Sequence, residues 1–525
     1  MTVDGQVEQR MKRAGLIVLL AGLVVGGGVR FYWIQQPPNP AAMWDHEEYA
    51  SWGLLMLREG FTSLYSQQPP DTKMYSWSAD RVLLAKRPEA MNTDGGTTSV
   101  RQICNYPPLF SYFQYVQILL LRAYDEEMVC NTVAARGIFA SFSMAAELLL
   151  VWAVWRVVRR LTSGRQNSVL LAGIAGATVY LAPPLIMDTV RWTQTDAWVL
   201  AGFLWCIDAM TRGQWRRAGV YFGIALGVKT LGILLAPVWG MALLAGRPRT
   251  RVLAGLVLAG VVFLVPAIPF ALESGSAWFE EVYQRSLSET FSYTTLRAFN
   301  AWYFDLLLTE NDDATVLWFG LTKGVWGKVF LGIGGLILGV VALWRLRGAR
   351  SIWLRCAAVF LSAAVLLPAG VHERYIVLPA VVLMVAAVIR PVLFWGVAPF
   401  VFVATFQVAA PFWMSNEPEA RTWGRQVRAI DWAGQYEALR EHLPGEEFEK
   451  LRRPDEQRAW ARGQYLEAVA GSSIRVKEWG LTVLEVFSGV VCCVMLLVVR
   501  EGRCGAGNVD SRPDVRRRGP FGTLR

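Results

Sequence analysis

The sequence predicts an all-α polytopic membrane protein of about twelve transmembrane helices, with a large first external loop carrying interfacial helices. Three observations predict it. Hydrophobic residues make up 54% of the 525 against 18% charged, and mean hydropathy is +0.32. Apolar runs of roughly twenty residues, long enough to cross a bilayer, recur down the chain. Basic residues gather in short clusters between those runs, which is how membrane orientation is written, so the net charge of +10 does not point to nucleic acid.

Candidate spans are 14–33, 137–158, 167–186, 196–211, 251–271, 327–346, 352–368, 375–390, 392–413 and 478–499, with 218–246 as a longer apolar block. The first run follows Arg10, Lys12 and Arg13, and no small-residue cleavage site precedes Arg30-Phe31-Tyr32-Trp33, so it reads as a retained span. Basic clusters at Arg156, Arg159, Arg160 and Arg165, at Arg212, Arg216 and Arg217, at Arg247, Arg249 and Arg251, and at Arg345, Arg347 and Arg350 all belong inside. A span at 107–122 would throw the first of these outside. That stretch therefore reads as an interfacial amphipathic helix opened by Pro107. Block 218–246 has basic clusters at both ends, so it enters and returns as two short helices with Lys229 near the turn. Both termini then lie inside. The external side carries loop 35–136, loop 187–195, segment 272–326 and the turn at 369–374.

Three units follow: a transmembrane core at 1–413, a hydrophilic helical segment at 414–476 broken at Pro444-Gly445, and a final span with a basic tail at 477–525. Parity puts 414–476 outside, and long hydrophilic segments translocate largely regardless of charge. The seven cysteines show no metal spacing; Cys104 and Cys130 flank one helix and fit either a disulfide or two free thiols. Arginine far outnumbers lysine, which suggests a GC-rich bacterial source and a bacterial plasma membrane. There is no internal repeat.

The suspicious polar residues all fall on the external side: Asp45, Glu47, Asn105, Tyr106, Arg136, Asp188, Arg191, Gln194, Asp196, Lys229, Asn300, His372, Glu373 and Arg374. Asp45 sits in Trp44-Asp45-His46-Glu47-Glu48-Tyr49 at the mouth of an apolar protein, where its local reading is the N-cap of a helix with Tyr49, Trp52 and Met56 on one face. A cap is also a rigid place to hold a carboxylate. His372-Glu373-Arg374-Tyr375 joins two apolar helices; it is either an ordinary charged turn or a cationic seat for a lipid phosphate. Lys229 costs a few kcal/mol at the tip of an apolar hairpin unless it is paired or reaches the surface. Asp188 either bridges Arg191 locally or belongs with Asp196 to a functional cluster. No GxGxxG, P-loop, HExxH or GxSxG is present, so a soluble nucleotide-activated donor is disfavoured.

Together these residues resemble the type C glycosyltransferases, integral-membrane enzymes that use polyprenyl-phosphate-linked sugars. Asp45-x-Glu47 followed by Trp52 is similar to the first-loop signature of the asparagine-linked-glycan glucosyltransferases, and Asn105-Tyr106-Pro107-Pro108-Leu109 to their Tyr-Pro-Pro-Leu helix start. Trp192-Thr193-Gln194-Thr195-Asp196-Ala197 is similar to the Trp-Gly-Gln-x-Asp-Ala element of bacterial GPI-type mannosyltransferases, with Thr193 standing where that group has Gly. Leu296–Trp302 and His372–Tyr375 match the same group.

The resemblance covers about residues 10 to 413. It implies a type C glycosyltransferase fold and an inverting transfer of a hexosyl residue, mannosyl first, from a polyprenyl-phosphate sugar to a glycan, lipid or protein acceptor. Asp45 would be the general base, and Arg374, His372 and Lys229 would stabilise the departing phosphate. Gln194 and Asp196 would shape the cavity, and Glu47, Asn105, Tyr106, Arg136, Asn300 and Glu373 complete the candidate substrate site. No second carboxylic acid is needed, unlike glycoside hydrolysis, because phosphate is already a weak base. Some relatives use a divalent metal at the acidic motif; His46 and Glu47 would allow one, but the reading favours none. The rival reading is a transporter or flippase of lipid-linked sugars, against which stand the missing repeat and the gathering of polar residues at one face.

Overall fold

The structure is a computed structural model that describes residues 3–37, 44–65, 75–77, 83–85, 104–245, 248–285, 295–296, 298–307, 314–346, 348–414 and 474–499. The hydrophilic segment expected at 414–476 and the basic tail lie almost wholly outside the described residues.

Helices α1 (Val3–Gln35), α2 (Trp44–Glu59), α3 (Pro108–Tyr124), α4 (Val133–Leu161) and α5 (Ser168–Tyr180) open the chain. After α6 (Pro183–Ile186) comes a wide π turn at Met187–Arg191, then α7 (Asp196–Thr211) and α8 (Trp215–Val228). A tight 3-10 turn at Thr230–Leu235 leads into α9 (Ala236–Leu244), followed by α10 (Arg249–Leu264) and α11 (Ile268–Ser274). The rest are α12 (Lys323–Leu346), α13 (Ile352–Leu366), α14 (Val377–Ile389), α15 (Phe394–Met414) and α16 (Ile474–Val498). Two two-stranded ladders interrupt the helices. Strands β1 (Tyr75–Trp77) and β2 (Leu83–Ala85) pair antiparallel, while β3 (Thr295–Leu296) runs parallel to β4 (Val371–His372).

The protein is thus an all-α polytopic membrane protein. Six helices among the described residues are long and apolar enough to span a bilayer, and the bent pair Ser168–Tyr180 with Pro183–Arg191 makes a seventh. The sequence expectation of about twelve also counted α7, α8, α9, α13 and α14, which run only 16, 14, 9, 15 and 13 residues. These short helices form the centre: almost every residue of α13 and α14 is buried. The long helices surround them and turn apolar side chains outward, among them Leu20 and Val24 on α1, Leu148 and Trp152 on α4, and Leu336 and Val340 on α12. Water would disfavour so much exposed apolar surface, and lipid tails do not.

Small residues set the closest helix contacts, as expected where backbone approach replaces hydrophobic exclusion. A Cβ on Gly173 would collide with the backbone of Gly15, bringing α5 onto α1, and one on Gly219 would collide with Gly255, bringing α8 onto α10.

One sequence expectation changes in detail, and one open alternative is decided. The described helix α2 begins at Trp44, so Asp45 lies in its first turn rather than at its N-cap. Cys104 and Cys130 are both buried free thiols, not a disulfide. Block 218–246 is indeed two helices broken at Lys229.

Helix α4 gives the molecule its two ends. Arg136 stands near its start and Arg156 lies five and a half turns later, about 30 Å along the axis. At the far end, Asp208 of α7 accepts from Arg156 at 3.2 Å, Arg160 at 3.2 Å and Arg212 at 2.5 Å. Asp196, at the opposite end of α7, belongs to the polar cluster described next.

Candidate active site

Three breaks in helical backbone meet at one end of the molecule: the segment 187–196, the interruption at Lys229, and the turn at 371–376. Helix α2 and the entry to α3 close over them.

Lys229 terminates α8 with extended backbone (φ −152°, ψ 142°). Its ammonium donates to both oxygens of Asp196 at 3.0 and 2.9 Å and to Gln194 Oε1 at 2.9 Å. Three N–H donors thus meet three acceptor atoms, and the ammonium is saturated. The same Gln194 oxygen accepts from the Tyr106 hydroxyl at 3.0 Å, and Tyr106 shares a 2.6 Å hydrogen bond with Tyr49 of α2. With Oε1 taken by two donors, the amide is oriented so that Nε2 is the remaining donor; it is buried and has no partner among the described residues. Backbone bonds hold the segment: Gln194 N donates to Asp188 O at 3.0 Å, and Ser143 of α4 donates to Gln194 O at 2.7 Å.

Arg374 reaches across the site to Asp45. Its Nη1 donates to Asp45 Oδ2, joining residues 329 apart in sequence. The guanidinium lies 4.7 Å from the centroid of the Trp192 ring, a cation–π seat, and its Nε is a buried donor without a partner among the described residues. Burial opposes the charge on Arg374, and the carboxylates of Asp45 and Glu373 hold it protonated. Glu373 accepts from His372 Nδ1 at 3.1 Å; burial would raise its carboxyl, but His372 and Arg374 hold it down at about 2. The Tyr106 hydroxyl is pushed up by burial first and then by the neighbouring Asp45.

Gln407 ties the turn down. Its amide donates to Glu373 O at 2.6 Å and accepts from Phe299 N at 2.8 Å. Asn300 uses its own amide on the carbonyls of Val365 and Pro368, at 3.3 and 3.1 Å, and its oxygen on Trp302 N at 3.1 Å. Both anchor the ladder of β3 and β4, on which His372 rides.

The expected site residues therefore divide. Asp45 and Arg374 form one pair, with Glu373 and His372 beside it. Tyr106, Gln194, Lys229 and Asp196 form a second, continuous cluster. Arg136 gives its donors to Ile34 O (3.1 and 2.7 Å), Gln36 O and Asn131 O, which fastens the end of α1 to α4. Asn300 is committed to backbone. Asn105 is near the cluster in sequence, with a buried Oδ1 that lacks a donor. Glu47 lies on α2, but its side chain is outside the described residues. The local bridge from Asp188 to Arg191 does not form. Among the described residues no donor reaches either Asp188 oxygen, while Arg191 Nη1 reaches the carbonyls of Trp33, Gln36 and Pro37 at 3.3–3.5 Å. Asp188 instead faces Asp196.

Of the two residues that would allow a metal at the acidic motif, His46 is the one whose side chain is described. His46 Nε2 donates to Cys130 O at 2.6 Å, its ring packs edge-on against Phe139, and burial lowers its pKa to about 4. Among the described residues no three His, Cys, Asp or Glu side chains are grouped to hold an ion.

Sequence reasoning missed Tyr49, Trp192, Gln407 and Ser143 as partners. Gln407 carried a signal, an amide within an otherwise apolar span. A further device also went unread: Arg30 of α1 and Glu147 of α4, both fully buried, form two bonds of 2.7 Å. Thr189 of the π turn adds a third bond to Glu147 at 3.0 Å, so this pair fixes the segment that carries Gln194.

Two comparisons bear on this geometry. The dolichyl pyrophosphate Glc1Man9GlcNAc2 alpha-1,3-glucosyltransferase of Candida albicans is 26% identical over 150 residues, 27% of this chain and 25% of that protein. The chain therefore matches about a quarter of that relative's length. The model of glycosyltransferase family 87 matches residues 106–369, which include Tyr106, Arg136, Gln194, Asp196, Lys229 and Asn300 and stop just short of His372. That match spans half of the chain, and so this membrane protein belongs to glycosyltransferase family 87.

Proposed function

We propose that this glycosyltransferase moves a hexosyl residue, mannosyl first, from a polyprenyl-phosphate sugar to a glycan, lipid or protein acceptor with inversion. The reaction runs at the external face of a bacterial plasma membrane. The observation that carries the proposal is the Asp45–Arg374 pair: a carboxylate and a cation, 15% and 7% exposed, meeting at the end of the molecule opposite the basic clusters.

Asp45 acts as general base on the acceptor hydroxyl as the latter attacks the anomeric carbon. Arg374 supplies the charge that the leaving phosphate needs, and His372 lies beside it. Gln194, with its amide orientation set by Lys229 and Tyr106, presents a fixed donor to a sugar hydroxyl. Lys229 and Asp196 hold that amide and do not touch the donor. No step of the proposal is routed through a metal.

The test is transfer by purified protein supplied with polyprenyl-phosphate mannose, glucose or arabinose, with and without chelator. Glucose stands beside mannose because the Candida relative is named a glucosyltransferase. Transfer from at least one of these donors is expected; activity confined to nucleotide sugars would overturn the proposal.

A further inference from the structure

Among the described residues the charged groups at the site nearly cancel. Arg374 faces Asp45, Lys229 faces Asp196, and His372 faces Glu373, while Asp188 adds a carboxyl behind Asp196. Tyr49, Tyr106 and Tyr375 fill the space between them. A site without surplus positive charge has to receive a lipid phosphate that gains charge during the reaction. Lys229 has no N–H to offer it. The guanidinium of Arg374 does, because Nε is buried and unpartnered among the described residues.

We propose that Arg374 exchanges partners in each turnover, held by Asp45 at rest and passed to the leaving phosphate as Asp45 takes the acceptor proton. This rests on the reading of the donor as a polyprenyl-phosphate sugar.

The bookkeeping of atoms and charge supports the exchange. The acceptor O–H proton goes to the Asp45 carboxylate, which becomes neutral. The acceptor oxygen forms its bond to the anomeric carbon, the bond from that carbon to the phosphate oxygen breaks, and its electron pair stays on phosphate. A phosphodiester monoanion becomes a monoester with one further negative charge. Asp45 loses one negative charge in the same event, so the total is unchanged. Negative charge has moved from one side of Arg374 to the other, and the guanidinium follows it without leaving the Trp192 face. Deprotonation and leaving-group stabilisation are thereby one electrostatic event. At rest the same pair keeps Arg374 from trapping free lipid phosphate, which speeds product release.

Asp45 is thus a competitor of phosphate for Arg374, and its removal has a definite consequence. A protein whose competent state is only fractionally populated binds more weakly by that fraction. Binding of a polyprenyl monophosphate to the full chain in nanodiscs is measured for wild type, Asp45→Asn, Asp45→Ser and Arg374→Gln, with the parent polyprenol and inorganic phosphate as separate arms. Thermal midpoints identify which variants are folded. The expected result is binding about tenfold tighter than wild type in both Asp45 variants, and about tenfold weaker in Arg374→Gln. Tighter binding of inorganic phosphate alone would carry the exchange for the anion without the lipid. Affinity in the folded Asp45 variants equal to or weaker than wild type would overturn the exchange, even where wild-type transfer from the lipid donor stands. Wild type that transfers sugar from no lipid donor and binds no polyprenyl phosphate would overturn the proposed function instead, and the exchange with it.

Discussion

Replacing Lys229 by methionine tests whether this buried ammonium supports the site or serves the substrate. Asp196 is completely buried, and Lys229 is the donor the structure gives to both of its oxygens. Removing one member of a buried pair leaves an uncompensated charge and costs about 3–5 kcal/mol. Removing both members restores most of that loss, because neither desolvation penalty remains. In Lys229→Met with Asp196→Leu, Gln194 still accepts from Tyr106, so the residual cost is one hydrogen bond, about 1 kcal/mol. Each single variant loses about 3–5 kcal/mol and the double about 1, so the coupling between the two sites is about 5–9 kcal/mol. Unfolding of the four proteins in a mixed-detergent titration, followed by tryptophan emission, gives that coupling as a double-mutant cycle. If Lys229→Met lost under about 1 kcal/mol, or the double variant lost as much as the two singles summed, the pair would not be the support proposed for Gln194.

Four other outcomes are expected. Asp45→Asn abolishes transfer, by at least about a hundredfold, in protein whose thermal transition shows that it is folded; near-normal turnover would remove Asp45 as the base. His46 is neutral in the fold, its pKa lowered from 6.5 to about 4 by burial, so the stability it contributes is complete above pH 6.5 and is lost as pH falls to about 4. That loss is about 3 kcal/mol, and His46→Gln should flatten the stability profile in this window while leaving the lower one, from the depressed Glu373 carboxyl, in place between about 4.5 and 2. Chelator should leave transfer unchanged; loss restored by one divalent ion would put a metal at the acidic motif. Thr193→Gly should be tolerated and stabilise by about 1 kcal/mol, since Thr193 holds φ at 54°, and a destabilised variant would show that its hydroxyl bond to Trp192 O outweighs the strain.

Much of this was legible because membrane sequences are written in long-range signals that need no contacts. Apolar runs and arginine clusters predicted the helical class and placed the break at Lys229 between two short helices. They do not by themselves fix the number of spans, because a short buried helix such as α14 is as apolar as a lipid-facing one, and periodicity does not separate the two. The candidate residues were legible as types: charge in an apolar chain has to be paired, solvated or functional. Their partners were not. Nothing local in Asp45 names Arg374, 329 residues away, and nothing in Asp188-Thr189-Val190-Arg191 reveals that Arg191 turns to the end of α1. Arg136 and Asn300 had the composition of ligand-binding residues, yet each gives its hydrogen bonds to backbone at a chain break.

The breaks themselves locate the site independently of any side chain. Within a bilayer, non-helical backbone is tolerated only where protein buries it or where it lines a wet cavity, since lipid offers no hydrogen bonds. Here the π turn and its continuation to Thr195, the extended Lys229 and the β4 turn all come to one end, and a residue forced to positive φ sits among them. Each break costs hydrogen bonds and, at Thr193, strain. The compensation comes from side chains: Ser143 for Gln194, Gln407 for Glu373 and Phe299, Arg136 for the last carbonyls of α1. A structure stabilised by packing alone would gain nothing from three such interruptions converging. They bring Gln194 and Arg374 to the site on backbone that cannot shift as a helix would. The unused donors of those two residues, Nε2 and Nε, are then held in place before any ligand arrives.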